Sequence, residues 1–312
     1  MDSSIIITFA IPLFFGLILI EFFYGVITKQ NNYRINDAIT SMSLGLISRF
    51  VPILGLGFQY VVYKAVAEHY NLKLLSGEEI WVWVTAFILY DICYYWMHRI
   101  HHEIKVFWAT HVVHHHGEEF NLATALRQTS TGFLWKWVFF LPLFIIGIPP
   151  QMYVTVAGLN LVYQFWVHTE HIGRLGFLEY IFVTPSNHRV HHAQNEDYLD
   201  ANYGGVFILW DRLFGTFIDE RSDLKPVYGT VKPLKSFNPF WANIEVFYQM
   251  IFDSYHTEKF TDKIRVWFSP PNWRPEDVSM KYPIDKNDLS SFEKYDPNIS
   301  LREKIFAGAQ FT

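Results

Sequence analysis

Several signatures are missing from this sequence. Of 312 residues one is cysteine, Cys93, so no disulfide can form within the chain and a cross-linked secreted scaffold is excluded. Lysine and arginine number 25 against 30 aspartates and glutamates; the net charge of -5 offers no basic surface for neutralising phosphates, and no nucleic acid is expected as a partner. Charged residues make up 18%, whereas 51% are hydrophobic and 19% aromatic, which excludes a disordered or collagen-like chain. There is no G-x-G-x-x-G, no P-loop, no haem-binding string, no long repeat and no low-complexity tract. Any electrons the chain uses must come from outside it.

Long apolar runs are present. Residues 5–26 carry one charge, Glu21, and are long enough to cross a hydrocarbon core of ~30 Å. They do not read as a signal peptide, since Met1, Asp2, Ser3 and Ser4 bring no positive charge and no small-x-small site follows. Residues 37–67, interrupted by Arg49, Pro52 and Lys64, predict a broken span or a re-entrant hairpin. Residues 80–97 hold only Asp91 as a charge. Residues 133–148, with Lys136 able to snorkel at their start, end at Pro149-Pro150, and residues 152–167 contain Asn160 and Gln164. The short proline link predicts that the last two runs form an antiparallel hairpin.

Beyond residue 168 the chain is polar, aromatic and rich in turns, and the mean hydropathy of +0.10 fits a part-membrane, part-aqueous protein. The expected fold is an all-α integral-membrane helical bundle, residues 1–170, carrying a cytosolic histidine-rich cap, residues 171–312. Residues 210–217, WDRLFGTF, predict a packed aromatic turn. Residues 238–256 predict an amphipathic helix with Phe240, Trp241, Ile244, Phe247, Tyr248 and Ile251 on one side, lying on the membrane or in an ordinary core. With the N-terminus outside, Lys29, Arg34, Arg99, Lys105 and Arg174 fall on the cytosolic side, although Lys64 and Lys73 lie opposite. In either orientation the histidines after the third and fifth runs share one face.

Histidine is the unusual residue: 14 in all, 12 of them between His98 and His192. Three segments read H-x-x-H-H: His98-Arg99-Ile100-His101-His102, His111-Val112-Val113-His114-His115 and His188-Arg189-Val190-His191-His192. Roughly 0.03 such strings are expected by chance at this composition. His168 and His171 form a looser cluster. On a helix, positions i, i+3 and i+4 share a face, and imidazole binds iron, zinc and copper well. Eight or nine nitrogens exceed the four that tetrahedral zinc takes and suit two metal ions with open positions. Asp91, Tyr95, His98 and His102 form one helical stripe. His98 and His102 read as ligands. Asp91 and Tyr95 would orient a ligand through its other ring nitrogen, with a buried structural carboxylate as the alternative for Asp91. Glu103 abuts His102 and could bond a ligand. Glu118 and Glu119 read as solvated or capping charges, and His69 and His256 as lone structural residues. A histidine-rich loop that merely scavenges metal is the competing reading of the boxes.

HRIHH, HVVHH and HRVHH after hydrophobic spans resemble the fatty acid hydroxylase/sterol desaturase superfamily of integral-membrane di-iron enzymes. DICYYWMHRIHHE, EEFNLATALRQ, NLVYQFWVHTE, TPSNHRVHHAQN and NYGGVFILWDRLFGTF are similar to the ether-lipid-cleaving branch, the alkylglycerol monooxygenases, over about two-thirds of the chain. The resemblance implies metal ligation by His98, His102, His111, His114, His115, His168, His188, His191 and His192. It assigns no counterpart to His101, His116 or His171. Asn187 stands where that branch often has another histidine. Two iron ions, O2, a membrane lipid substrate and an external reductant are implied, the reductant being tetrahydrobiopterin or an electron-transfer protein. The expected reaction is hydroxylation of an unactivated C–H bond. The expected location is a multi-pass position in the endoplasmic reticulum or a bacterial inner membrane. A desaturase on the same scaffold is an alternative. A metal transporter is another, but it would want ligands near mid-bilayer in several spans.

Overall fold

Backbone N–H and C=O groups in apolar surroundings must pair internally, and the apolar runs accordingly become helices. In the computed structural model, which describes residues 3–50, 58–75, 77 and 79–311, fourteen α-helices form. Among the described residues there is no strand, only the isolated bridges Phe182–Phe207 and Ala193–Tyr228.

Two of these helices are long and apolar enough to cross a membrane. They are α1 (Ser3–Thr28), through its Phe9–Thr28 portion, and α4 (Ile80–Glu103). Phe9 and Ile27 of α1 are 73% and 78% exposed, so the helix offers its surroundings an apolar surface that water would not favour. Its single charge is not left alone. The Glu21 carboxylate accepts from the backbone N–H of Leu122 at 2.7 Å, the Thr169 hydroxyl at 2.5 Å and the Tyr33 hydroxyl, which offsets its desolvation.

The second apolar stretch gives α2 (Ile35–Ser48) and α3 (Gln59–His69). At 14 and 11 residues these are about 21 and 16 Å long, too short to cross singly. Pro52 and the rest of residues 51–57, on which a broken span or hairpin would turn, lie outside the described residues. Asp37 of α2 is buried and takes the Arg127 guanidinium at 2.7 Å.

After α4 come two single turns, α5 (Lys105–Trp108) and α6 (Val112–His115). The expected span over residues 133–148 is not a continuous α-helix. A 3₁₀ segment, Lys136–Phe140, leads into α7 (Leu141–Ile146), about 19 Å together. Pro142 is the cause: it has no N–H to give a preceding turn, so it sits in the first turn of α7. Gly147, at φ +122°, ends the helix. The chain then enters α8 (Pro150–Trp166), whose Tyr153 packs back on Phe140 and Phe144 at 5.5 and 5.1 Å. Phe14 of α1 stacks on Phe165 of α8 at 3.9 Å. The C-terminal ends of α1, α4 and α8 gather at one end of the bundle, where Glu21 meets Leu122 and Thr169 and where His98, His102 and His168 lie.

The remainder adds α9 (Pro185–His191), α10 (Leu209–Phe214), α11 (Pro239–His256), α12 (Phe260–Phe268), α13 (Glu276–Lys281) and α14 (Leu301–Phe311). The aromatic turn materialises as α10, closed by Gly215 in the left-handed region at φ +74°, with Phe214 stacked on Tyr95 at 5.3 Å. The expected amphipathic helix over residues 238–256 forms as α11, with Trp241 and Phe247 outside its exposed stripe. In α11 one face, with Ala242, Met250 and Asp253, is core, while Phe240, Ile244, Tyr248, Ile251 and Tyr255 form an exposed apolar stripe.

Asp253 is fully buried and receives the Arg274 guanidinium through two bonds of 2.8 Å, which fixes the segment after α12 to α11. Removing one member of such a pair strands a charge. Arg274→Ala should therefore lower stability by about 3–5 kcal/mol, seen as a lower denaturation midpoint in detergent, while Lys64→Ala on the exposed Lys64–Glu68 pair should shift it by less than about 1 kcal/mol.

Candidate metal centre

The histidine boxes lie on three separate elements: the last turns of α4, the single turn α6 with the residue before it, and α9 with the residue after it. α9 starts sharply because Thr184 and Asn187 form a reciprocal cap over Pro185. Asn187 thus completes the helix start from which the third box projects.

The nine histidines singled out by the boxes and by His168 come together in two groups. His98, His102, His111, His115 and His191 form one; His114, His168, His188 and His192 form the other. Within each group the candidate donor atoms lie within 4.8 Å of one another. The Nε2 atoms of His111 and His98 are 3.0 Å apart, and those of His111 and His115 3.2 Å. In the second group the Nε2 atoms of His168 and His188 are 2.9 Å apart, of His168 and His114 3.2 Å, and of His188 and His192 3.1 Å. One proton on a nitrogen cannot serve two such neighbours, but a common cation can. Metal–nitrogen bonds of about 2.1 Å place adjacent donors about 3 Å apart.

The spacing divides the boxes in a way that a shared helical face does not convey. In each box the i and i+4 imidazoles belong to one group: His98 with His102, His111 with His115, His188 with His192. The i+3 imidazole of the second and third boxes, His114 and His191, enters the other group. His115 and His192 stack at 4.4 Å and form the wall between the groups. In the first box the i+3 residue, His101, joins neither. It donates to the Met97 carbonyl at 2.6 Å and packs on Phe107 and Phe139. His171 lies edge-on to Tyr24, and His116 is buried with no partner for Nδ1 among the described residues.

Four of the second nitrogens are held by carbonyls, which can only accept. Nδ1 of His98 donates to Tyr203 at 2.8 Å, of His191 to Ala201 at 2.9 Å, of His168 to Gln164 at 2.8 Å and of His114 to Arg127 at 3.3 Å. This tautomer leaves the Nε2 lone pair facing the group centre. Nε2 of His102 and of His191 are buried without a hydrogen-bond partner among the described residues, as donors awaiting a cation would be. Burial pushes His191 down to about 4 and His168 to about 3, and it lowers His111, His114, His115, His188 and His192 as well. The imidazoles are therefore neutral at pH 7, the form that ligates.

Three expected partners do not touch a histidine nitrogen. Asp91 is fully buried, but its carboxylate takes the N–H groups of Val206 and Phe207, the Trp210 indole and Asn160, all at 2.8–2.9 Å. Tyr95 bonds Thr216 and Arg99. Glu103 pairs outward with Arg99 at 2.7 Å. A charge inside a span needs several donors, and the nearest supply was backbone N–H from the 203–210 segment, not imidazole. Glu118 and Glu119, expected as solvated or capping, instead pair with Arg34, and Glu119 also with Lys294.

Sequence reasoning missed Asp211, which takes the N–H groups of Tyr203 and Gly204 at 2.7 and 2.8 Å and the Thr216 hydroxyl at 2.7 Å. Asp91 and Asp211 together pin the loop whose carbonyls orient His98 and His191. The signal for the other half was visible: Asn160, Gln164 and His168 recur at four-residue spacing along α8 and its end. Asn160 bonds Asp91, and the Gln164 carbonyl bonds His168.

An apolar cavity of about 690 Å³ reaches the site. Phe14 and Phe15 of α1, Tyr90 and Met97 of α4 and Phe165 of α8 line it, and it ends on His111, His114 and His168.

Asp211→Ala, which removes no imidazole, should weaken metal retention about 10–100-fold in chelator competition, because the loop holding His98 and His191 is released. His101→Phe, outside both groups, should keep the full metal content by elemental analysis.

The fatty acid hydroxylase family model matches residues 83–216, the stretch that carries all three boxes. Alkylglycerol monooxygenase of Xenopus tropicalis is 38% identical over 285 residues, 91% of this chain and 63% of its own length. The Homo sapiens protein of that name is 40% identical over 267 residues, 85% of this chain and 59% of its own. The Danio rerio protein is 38% identical over 305 residues, 97% of this chain and 68% of its own. The chain thus spans about three-fifths of the length of the frog and human proteins. No solved structure matches it significantly. Because the similarity runs through the histidine elements and the loop that braces them, this chain belongs to the fatty acid hydroxylase family.

Proposed function

We propose that the chain is an integral-membrane di-iron monooxygenase that hydroxylates an unactivated C–H bond of a lipid, the carbon beside the oxygen of a glyceryl ether being the intended target. The observation that carries this reading is the meeting of two features: two groups of buried, neutral imidazoles, and an apolar cavity of about 690 Å³ that ends on three of them. The relatives named alkylglycerol monooxygenase support the substrate class.

Five imidazoles would hold one iron and four the other, leaving open positions on ions that accept six donors. Bound iron supplies the activation of O2 with electrons from outside. The chain's residues do the rest. Phe14, Phe15, Met97 and Phe165 take the alkyl chain, worth about 0.8 kcal/mol per buried methylene, and so set which carbon halts beside His111, His114 and His168. The same walls exclude bulk water from the reacting carbon. The overall balance is R–H, O2, two electrons and two protons giving R–OH and water. Hydroxylation beside an ether oxygen gives a hemiacetal that collapses to an aldehyde and a glycerol. Residues 1–170 would sit in the bilayer and residues 171–312 would form the cap. Lys29, Arg34, Arg99, Lys105 and Arg174 favour a cytosolic histidine end.

Purified protein should hold about two irons per chain, and His114→Ala should leave about one and abolish turnover. With labelled O2 and a glyceryl ether, label should enter the aldehyde. Loss of two hydrogens without label would instead mean a desaturase. Full metal and activity in His114→Ala would overturn the reading.

A further inference from the structure

The cavity that ends on His111, His114 and His168 carries an unbalanced charge. Arg49, Arg127 and Lys136 line it, and no aspartate or glutamate does among the described residues. A second recess, about 400 Å³, meets His102, His115, His191 and His192 from another side and is lined by three lysines and three carboxylates. Of the cations in the first cavity, Arg127 is paired with Asp37 at 2.7 Å, and Arg49 is exposed just after α2. Lys136 has neither an ion pair nor a hydrogen bond among the described residues.

The place of Lys136 decides what it can do. Its stem lies on the turn that precedes it: a methyl at Gly132 would come within 3.0 Å of Cε of Lys136 and 3.2 Å of Cγ2 of Thr129. That turn continues the segment whose Arg127 carbonyl receives Nδ1 of His114 at 3.3 Å. After burial and the neighbouring imidazoles, the Lys136 charge is a further influence that holds His114 neutral. The ammonium therefore belongs to the histidine end of the cavity. Ser130 of the same turn also lines the cavity, and its hydroxyl is buried without a partner among the described residues. Its backbone N–H is fixed on the Asn243 side chain of α11 at 2.8 Å, so the hydroxyl is presented by a held backbone.

An ammonium and a hydroxyl unpaired in apolar surroundings have lost hydration that a ligand can replace. A hydrocarbon tail cannot do so, whereas an oxyanion accepts from both. In a glyceryl ether the carbon to be hydroxylated is the first of the alkyl chain, a few bonds from the headgroup. A lipid seated with that carbon beside the imidazoles puts its headgroup, not its tail, at the histidine end.

We propose that Lys136 and the Ser130 hydroxyl form a headgroup subsite for an oxyanion, and that the preferred substrate is a glyceryl ether carrying a phosphate monoester on its glycerol. The inference rests on the monooxygenase reading, to which it adds the headgroup and the direction of the lipid. The phosphate holds the ether end in place, and the alkyl chain runs away from it along Phe14, Phe15 and Phe165.

The test uses the full iron-loaded chain in detergent, without O2 or reductant, so that binding alone is read. Two glyceryl ethers with the same alkyl chain are titrated by calorimetry, one bearing a phosphate monoester and one with free glycerol hydroxyls. The wild type should bind the phosphate ether at least about tenfold more tightly. Lys136→Met should bring that ratio down to about one, Lys136→Arg should keep most of it, and Ser130→Ala should lower it about threefold. Retained iron is the control for folding; where Lys136→Met loses its iron, the wild-type ratio and Ser130→Ala decide. Inorganic phosphate, titrated in parallel, should not displace the phosphate ether at equal concentration. A wild type that binds both ethers equally, or neither, overturns the headgroup subsite alone, as does a ratio that survives Lys136→Met in an iron-loaded chain. Displacement by inorganic phosphate at equal concentration assigns the subsite to the free anion and overturns its role in lipid choice. A wild type that holds no iron, or that oxygenates neither ether once O2 and a reductant are added, overturns the monooxygenase reading itself.

Discussion

Two neighbouring residues on an α-helix point about 100° apart, so adjacent histidines cannot aim at one point. The two groups of imidazoles follow from that step. His114 and His115 diverge into different groups, and so do His191 and His192, while residues four apart stay together. Two short helices facing each other in this way interleave their donors, and the stacked rings of His115 and His192 become a shared partition. The first box contributes to one group only, because its third histidine is turned into the packing around Phe107 and Phe139. In the second and third boxes, one turn of helix thus supplies imidazoles to both groups.

Imidazoles aimed in this way still need their outer nitrogens fixed. Two buried carboxylates do so at one remove. Asp91 rises from α4 and Asp211 from α10, and between them they bind the backbone of residues 203, 204, 206 and 207. The carbonyls of Ala201 and Tyr203 in or beside that loop then set the tautomers of His191 and His98. The burial of each carboxylate is tolerable because each receives at least three hydrogen bonds. The same economy governs Glu21, whose donors are Leu122, Thr169 and Tyr33 and which ties α1 to the histidine end.

Much of this was legible in the chain. Helices over residues 5–26, 80–97 and 152–167 followed from apolar length, and the structure has α1, α4 and α8 there. The nine histidines singled out from spacing and resemblance are the nine that gather. Less legible were the places where one residue redirects a helix. Pro142 splits the 133–148 run into 3₁₀ and α segments, and an average over apolar content does not register a single missing N–H. Asp91 was singled out for the cost of a charge among apolar helices. Three of its partners, Val206, Phe207 and Trp210, lie more than a hundred residues away, and no local pattern points to them.

Sequence by itself determined the helical class, the apolar segments and which imidazoles would be available, because these depend on side-chain type and on the fixed 3.6-residue period. Only the tertiary structure decided how nine rings divide into five and four, which carbonyls face the outer nitrogens of His98, His114, His168 and His191, and that two cavities meet the rings from different sides. Those outcomes depend on the relative placement of α4, α6, α8 and α9. That placement is set by long-range packing and by hydrogen bonds between residues far apart in the chain, which no periodicity encodes.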